Sequence, residues 1–367
     1  MYSEQKGYPL RAIYLNPTDH CNLKCRHCWL SPETVEMQPN LETKKQAYTC
    51  GVSVEQIRDL IHQAKPLGLH AIKLTGGEPF LRSDIMDFIS LFHSEGIYVD
   101  IETNGTLIDE STASGLKKNQ VGCISVSLDG ATAESHDRFR GVDGAFESAI
   151  RGIRHLRDCD LVVQVIMSLC RENVDEIADI SMLALNLGVH SLKINPLLPI
   201  GRAHKMYETG MTLSAEELIE ISRWVDSHLQ PKVGVPISFC MPIAFQPIKA
   251  IMENGQPECP VLNILGIVEN GDIAFCGIEH VEKDLIMGNI NKDRLETIWL
   301  NHPLLKAMRE SIPWRLEGIC GKCIFKKTCL GSCRACAYYM DKSLTAPFWL
   351  CQEAFEKGLF PETRYCH

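Results

Sequence analysis

No stretch of this 367-residue chain approaches the roughly 18 uninterrupted apolar residues that a membrane-spanning helix needs. Met1-Tyr2-Ser3-Glu4-Gln5-Lys6 puts no apolar segment behind a basic start, so it does not read as a secretion signal. Basic charge is in short supply. Lys and Arg number 37 against 46 Asp and Glu, a formal net charge of −9. That argues against a nucleic-acid surface, which needs basic patches. Internal repeats and low-complexity tracts are also missing. Hydrophobic residues at 45% and charged residues at 23% are ordinary for a soluble globular protein. The length exceeds what one small core uses and accommodates two domains. The expectation is a cytoplasmic protein with no membrane and no nucleic-acid partner.

What is abundant is cysteine. Seventeen is far above ordinary usage and odd in number, whereas a secreted disulfide scaffold is short, even-numbered and preceded by a signal. Metal ligation is the better reading. The distribution sharpens it: Cys21, Cys25 and Cys28 crowd together, and eight more fall between Cys259 and Cys351. Cys50, Cys123, Cys159, Cys170 and Cys366 have no ligand spacing and read as small buried hydrophobes.

The first two-thirds of the chain alternates short apolar runs with helical patterns. Ala12–Leu15, Ala71–Leu74, Tyr98–Glu102, Cys123–Ser127, Leu161–Ser168 and Ser191–Ile194 read as strands. Helical patterns cover Ser53–Lys65, Ser83–Glu95, Glu110–Lys118, Ala145–Asp158 and Val174–Leu187. The first opens on a capping box of Ser53 and Gln56. This alternation predicts an α/β fold, a parallel sheet with helices outside. Six units fit a partial (β/α)6 TIM-like barrel better than a closed eightfold one, and in barrels the chemistry gathers at the C-terminal ends of strands. Leu213–Leu229 reads as a further helix, capped by Ser214 with Glu217. Beyond it the periodicity fails. Residues 230–367 are richer in Cys, Pro and Gly, and a region so poor in regular core usually needs metals as staples. Two domains are expected, 1–239 and 240–367.

His20-Cys21-Asn22-Leu23-Lys24-Cys25-Arg26-His27-Cys28 forms a C-x3-C-x2-C loop directly after the first strand. Three thiolates this close can wrap one cubane, but a [4Fe–4S] cluster wants four ligands and only three are local. The open iron can then chelate the amino and carboxylate groups of S-adenosylmethionine (SAM). Reductive cleavage of SAM releases a 5′-deoxyadenosyl radical that abstracts hydrogen, chemistry that belongs to the cofactor. A zinc site fits poorly for want of a fourth ligand.

At these residues the chain resembles the radical SAM superfamily, and further motifs agree in order. Gly76-Gly77-Glu78-Pro79, ending the second strand, resembles the GGEP motif whose backbone and Glu hold the SAM amino group. Glycine permits the close approach this requires. Glu102-Thr103-Asn104-Gly105 and Ser125-Val126-Ser127-Leu128-Asp129-Gly130 end the third and fourth strands. By resemblance they contact the methionine part and ribose of SAM, with Asn104 among the contacts and Ser127 preferred for the ribose. Ser168 and Arg171 are further candidates. For each polar residue a helix cap or turn is the plain alternative. His136-Asp137-Arg138-Phe139-Arg140-Gly141, Pro199-Ile200-Gly201-Arg202-Ala203 and Met287-Gly288-Asn289-Ile290 also fit the family. They are assigned positioning roles, and a buried salt bridge is the plain reading of Arg140 and Arg202.

Cys259 is followed by Gly271 and Cys276. Cys320, Cys323, Cys329 and Cys333 follow at C-x2-C-x5-C-x3-C spacing, and Cys351 closes the set. This is similar to the seven-cysteine SPASM domain, an irregular, cysteine-rich C-terminal extension that holds two auxiliary [4Fe–4S] clusters. Carried over, Cys320, Cys323, Cys329 and Cys351 hold the distal cluster, and Cys259, Cys276 and Cys333 the proximal one. A pair of zinc sites is the alternative. Some relatives have a further cysteine shortly before the Gly-x4-Cys element; none lies between Cys259 and Cys276. The fourth proximal position is therefore open, or filled by Cys240 or Cys336, and an open or non-cysteine site is preferred.

The resemblance implies an oxidoreductase that abstracts hydrogen from a ribosomally made peptide, forming a crosslink, oxidising or epimerising it. Its partners would be that peptide, a separate leader-peptide-binding protein and a reductant such as a flavodoxin or ferredoxin. Three alternatives stand beside this reading. One is a sulfatase-maturase-like oxidation, disfavoured because Gly277 stands where that family has an Asp base. Another is modification of a tetrapyrrole or other small molecule. The third is a non-enzymatic iron–sulfur electron carrier, disfavoured by the intact SAM motifs. No general base is identified; Tyr338, Tyr339 and Glu279 are the possibilities. The long loop Ser31–Gly51 either covers the site, grips a peptide or is a disordered insertion.

Overall fold

The computed structural model describes residues 7–30, 33–34, 51–254, 259–277 and 282–366. Cys50, Glu279 and most of the Ser31–Gly51 loop lie outside them. The six expected strands form: β1 Ala12–Leu15, β2 Ala71–Leu74, β3 Tyr98–Thr103, β4 Cys123–Ser127, β5 Val162–Leu169 and β6 Ser191–Pro196. They pair in parallel and in chain order, with Ile13 opposite Ile72 and Met167 opposite Ile194. The fold is a mixed α/β partial barrel.

The sheet runs further than six strands. A short β7, Ile237–Phe239, joins β6 in parallel. On the other side β8, Ile264–Ile267, pairs in parallel with β1, placing Leu265 opposite Ile13. β9, Asp272–Ala274, and β10, Ile286–Asn289, then add antiparallel. Among the described residues the order is β10-β9-β8-β1-β2-β3-β4-β5-β6-β7. The sheet thus continues across residue 239, and the cysteine-rich region supplies the strand beside β1. Ile264-Leu265-Gly266-Ile267 is buried at every position. A run of four residues apolar on both faces carries no period by which sequence could identify it.

Strand alternation sorts the two faces. Ile13, Leu15, Ile72, Leu74, Val99, Ile101, Val163, Val165, Leu192 and Ile194 are all 4% exposed or less. They share one core with the apolar faces of α1 Val54–Ala64, α2 Ile85–Ser94, α3 Glu110–Lys118, α5 Ala145–Asp158 and α6 Ile177–Asn186. Burying such a side chain contributes about 1.5–3 kcal/mol. The intervening positions, Tyr14, Lys73, Glu102, Gln164 and Lys193, are half-buried and line the concave face.

The capping boxes form as read. Ser53 Oγ accepts from Gln56 N at 3.2 Å while Gln56 Oε1 accepts from Ser53 N at 2.6 Å. Ser214 and Glu217 do the same at the start of α8, Ala215–Trp224. Sequence periodicity misses α4, Ala133–Arg140, and α7, Arg202–Glu208, because both are short and polar. The C-terminal region is also more regular than expected. After α9, Ile248–Asn254, it holds α10 Leu295–Asn301, α11 Pro303–Ser311, α12 Gly318–Lys322, α13 Lys326–Cys329, α14 Arg334–Asp341 and α15 Trp349–Glu356. Helices this short leave too few turns for a pattern to emerge. The unassigned cysteines are a correction as well: Cys170 is buried, but Cys123 and Cys159 are half-buried and Cys366 is exposed. No helix is long and apolar enough to cross a membrane among the described residues.

Replacing Ser214 by Ala should lower the unfolding free energy by about 1 kcal/mol, measured by urea denaturation.

Candidate active site

Cys21, Cys25 and Cys28 gather in a small apolar nest with Leu23, Val142 and Ala145. The loop that carries them is fixed from three sides. Lys24 N donates to Arg140 O at 2.9 Å and Arg26 N to Phe139 O at 3.2 Å, so the end of α4 pairs with the loop backbone. Arg202, opening α7, donates through Nη1 to Cys25 O at 3.0 Å and through N to Cys28 O at 3.0 Å. Asn104 Nδ2 donates to Asn22 Oδ1 at 2.9 Å, and Asn22 Nδ2 donates to Thr106 Oγ1 at 2.8 Å. Arg140 enters the protein interior and donates through Nη1 to Cys25 Sγ at 3.5 Å. Its Nη2 forms an ion pair with Asp129 Oδ2 at 2.6 Å. Asp129 Oδ1 in turn accepts from Ser168 N at 2.6 Å. Both arginines given positioning roles thus act on Cys25. Burial, and then Cys25 and Glu78, raise the Cys21 thiol well above the ordinary range. Three sulfurs converging in one apolar nest are a donor set that suits an iron–sulfur cluster.

The Gly-Gly-Glu-Pro turn packs directly on the start of that loop. Gly77 N donates to Thr18 O at 2.9 Å and Glu78 N to His20 O at 2.8 Å. A Cβ on Gly77 would stand 2.0 Å from His20 O, and Gly76 has φ +118°, so glycine is required at both. Pro79, buried, begins the tight turn Pro79–Leu81. The Glu78 carboxylate, wholly buried, accepts from Thr103 Oγ1 at 2.7 Å, Asn104 N at 2.8 Å and Phe80 N at 3.1 Å. Burial pushes it up to about 7 against these donors. Its side chain ties the end of β2 to the end of β3, and Asn104 is occupied with the cluster loop.

Ser127 ends β4 and Ser168 lies near the end of β5, both half-buried on the concave side. Arg171 is not brought to the loop. Its guanidinium grips Glu217 at 2.5 and 2.7 Å on an exposed surface and reaches Gly210 O at 3.1 Å. A bidentate carboxylate outcompetes weaker partners for a guanidinium.

The C-terminal thiols form two groups. Cys320, Cys323, Cys329 and Cys351 line one cavity with Ile243, Ile319 and Phe360. Cys320 Sγ accepts from Phe348 N at 3.4 Å. Four thiols on one apolar cavity are the donor set of a cubane. Among the described residues no three His, Cys, Asp or Glu side chains close on a point suited to one metal ion. In the second group Cys333 is the strongest charge acting on Cys259, and Cys259 and Cys276 both act on Tyr14. Gly277 faces the Tyr14 side chain, where an added Cβ would be 3.3 Å from Tyr14 Cβ. Asn16 Nδ2 donates to Gly277 O at 3.0 Å, while among the described residues its buried Oδ1 has no hydrogen-bond partner. Cys336 stands beside Cys333, donating N–H to its sulfur at 3.4 Å. Cys240 stands with Lys193 and Lys73 on the concave face.

Tyr338 Oη donates to Asp284 at 3.5 Å. Tyr339 packs its ring against His204 of α7 at 5.4 Å. With Glu282, Met340 and Lys342 these last two line an open cavity of about 750 Å³.

Sequence reasoning overlooked the concave-face charges. Lys73 Nζ pairs with Glu102 Oε1 at 2.5 Å and stands over the Tyr14 ring at 5.6 Å. Thr75 Oγ1 donates to Glu102 Oε2 at 3.3 Å. The available signal was a single charge inside an otherwise apolar strand, Ala-Ile-Lys-Leu and Ser-Leu-Lys-Ile.

Residues 15–184 match the Radical SAM superfamily, and residues 259–324 match SPASM, an iron–sulfur cluster-binding domain. The AdoMet-dependent heme synthase of Oleidesulfovibrio alaskensis is 30% identical over 352 residues, spanning 93% of this chain and 87% of that protein. The Fe-coproporphyrin III synthase of Methanosarcina barkeri is 26% identical, covering 88% and 83%. The mycofactocin maturase MftC of Mycobacterium ulcerans is 25% identical, covering 94% and 88%. Streptococcus suis SuiB bound to precursor peptide SuiA shares the fold, with TM-score 0.70, 19% identity and 94% and 76% coverage. The chain belongs to the radical SAM superfamily, in the branch that carries a SPASM domain. It is an enzyme of that class, one whose domains bind SAM and iron–sulfur clusters.

Replacing Arg140 by Met should destabilise the protein by about 3–5 kcal/mol, because Asp129 would remain as an uncompensated buried charge. Adding Asp129→Asn should recover most of that loss, since the pair then leaves together. Guanidinium denaturation of the two variants checks both.

Proposed function

We propose that this enzyme abstracts hydrogen from a tetrapyrrole carrying carboxylate side chains, seated on the concave face between the two N-terminal and proximal thiol sets. The observation that carries the reading is the concave face itself, where Lys73, Glu102, Lys193 and Tyr14 place charge and an aromatic ring on the polar side of the sheet. The heme synthase relatives at 30% identity support the tetrapyrrole class. Cys21, Cys25 and Cys28 would hold the cluster that, with SAM bound, would supply the 5′-deoxyadenosyl radical, the electron coming from an external flavodoxin or ferredoxin. Arg140 and Arg202 keep Cys25 in place, and the glycine turn at 76–77 lets the end of β2 pack directly on the start of the cysteine loop. Cys320, Cys323, Cys329 and Cys351 would hold one auxiliary [4Fe–4S] cluster. Cys259, Cys276 and Cys333 would hold the other. Cys336 stands beside Cys333 and Cys240 near the lysines, so the fourth proximal position would be left open, taken by a non-cysteine group or filled by Cys336.

A second reading, maturation of a ribosomally made peptide, is favoured by the likeness to MftC across 94% of the chain. It would use the open cavity at His204, Tyr339 and Lys342 for the peptide.

Anaerobic reconstitution should give about 12 irons per chain, four for each cluster. Replacing Cys21, Cys25 and Cys28 by Ala should leave roughly eight by the same count and abolish deoxyadenosine release from SAM. A count near four in the unaltered protein would remove the auxiliary clusters. Fe-coproporphyrin III should stimulate deoxyadenosine release. Stimulation by a precursor peptide alone would select the second reading.

A further inference from the structure

Lys193 is the residue on the concave face that the fold does not explain. It lies in β6, half-buried, level with Ser127 and Ile166 across the sheet. Its charge acts on Glu102 and on Cys240. Among the described residues it makes neither a hydrogen bond nor an ion pair. Lys73, by contrast, is fully engaged with Glu102 at 2.5 Å. Asp100, one step deeper on β3, accepts from Cys123 N at 2.7 Å and is likewise occupied. Burial would raise Glu102, yet Lys73 and Lys193 together hold its carboxyl below the ordinary range.

A half-buried ammonium that no acid of the protein contacts keeps its donors available to an anion that reaches it. A lysine needed only for solubility would stand on an outer helix face, where water is free. On a strand flanked by Leu192 and Ile194, both fully buried, the Lys193 side chain has no outward route. It extends from the concave face of the sheet.

We propose that Lys193 binds a substrate carboxylate on the concave face, with Lys73, oriented by Glu102, closing the site from β2. This rests on the proposed tetrapyrrole function and names the group on that substrate that the enzyme reads. A carboxylate approaching from the open end meets Lys193 first, as the cation without a contact acid. Thr75 and Tyr14 stand at the opposite side of Glu102 and Lys73 and fix that pair. Binding is electrostatic and needs no redox partner. It anchors one end of the substrate while another position is presented toward the thiol loop.

The test uses the reconstituted holoenzyme titrated anaerobically with Fe-coproporphyrin III and with its methyl ester, followed at the Soret band. The unaltered enzyme should bind the acid at least about tenfold more tightly than the ester, the effect of one charge-assisted contact. Lys193→Gln should bind both alike while keeping its iron content. The paired variant Lys73→Gln/Glu102→Gln, which removes both charges together, should lose part of the preference. Retention of the full acid preference by Lys193→Gln would overturn the proposal. A second measurement is independent of the macrocycle: acylation of Lys193, read by peptide mass spectrometry, should be slowed by propionate, whereas acylation of the exposed Lys118 should not. If neither porphyrin binds but propionate protects Lys193, the tetrapyrrole reading falls and the carboxylate site stands. If the acid binds, Lys193→Gln changes nothing and propionate gives no protection, the proposed function stands and the Lys193 site falls.

Discussion

Arg140 is drawn into the interior by two partners at once, the carboxylate of Asp129 at 2.6 Å and the sulfur of Cys25 at 3.5 Å. An unpaired guanidinium at that depth would cost several kcal/mol, so both partners must stay in reach for the fold to hold. That requirement locks together parts far apart in the chain. Asp129 follows β4, and its second oxygen takes the backbone N–H of Ser168 near the end of β5. The carbonyl of Arg140 itself receives Lys24 N, and Phe139 receives Arg26 N. Two strand ends, one short helix and the cysteine loop therefore share a single charge balance. The loop has almost no secondary structure of its own, and it owes its shape to these neighbours.

The same economy governs the sheet. Its outer face is aliphatic and nearly inaccessible, and it holds the helices by area alone. Its inner face is polar, and the polarity is ordered: Lys73 with Glu102, Tyr14 beside them, Lys193 apart. Period-two alternation makes these faces independent. The packing that stabilises the barrel can remain constant while the inner residues are chosen for a ligand. Tyr14 also marks where the two halves of the molecule meet, for it lies near Lys73 on one side and near Cys259 and Cys276 on the other.

Much of this was legible in the amino-acid sequence because it is local. A strand such as Val-Val-Gln-Val-Ile-Met declares itself within a few residues, and Ser53 with Gln56 announces a helix start three positions away. The thiol sets are legible because ligands for one cluster must come from short spacings. What could not be read is what depends on distant partners. Glu217 lies 46 residues beyond Arg171, and nothing in the local sequence shows it capturing that guanidinium. Glu78 sits in a motif that resembles a SAM contact, yet its carboxylate is used by Thr103 and Asn104. α4 reads Ala-Glu-Ser-His-Asp-Arg-Phe-Arg, polar enough to pass for a loop, because one of its apolar-side contacts is a buried arginine. β8 is four residues long and apolar on both faces, so its place in the sheet follows only from its partner.

That partner is β1, and the pairing has a consequence for how the protein is made. β1 launches the cysteine loop, and one of its edges is covered by β8, with Ala12 opposite Ile264 and Leu15 opposite Ile267. During synthesis β1 leaves the ribosome before β2–β7, and β8 only after them. Until then β1 presents an open edge, the kind of surface that recruits other strands. Pairings so distant in the chain are slow to form. The nascent chain thus passes through a long stage in which its reactive thiol loop is anchored on a half-covered strand. Insertion of iron and sulfide is best timed after Ile267 has emerged, and the strand that carries the loop of Cys21, Cys25 and Cys28 keeps one edge uncovered until then.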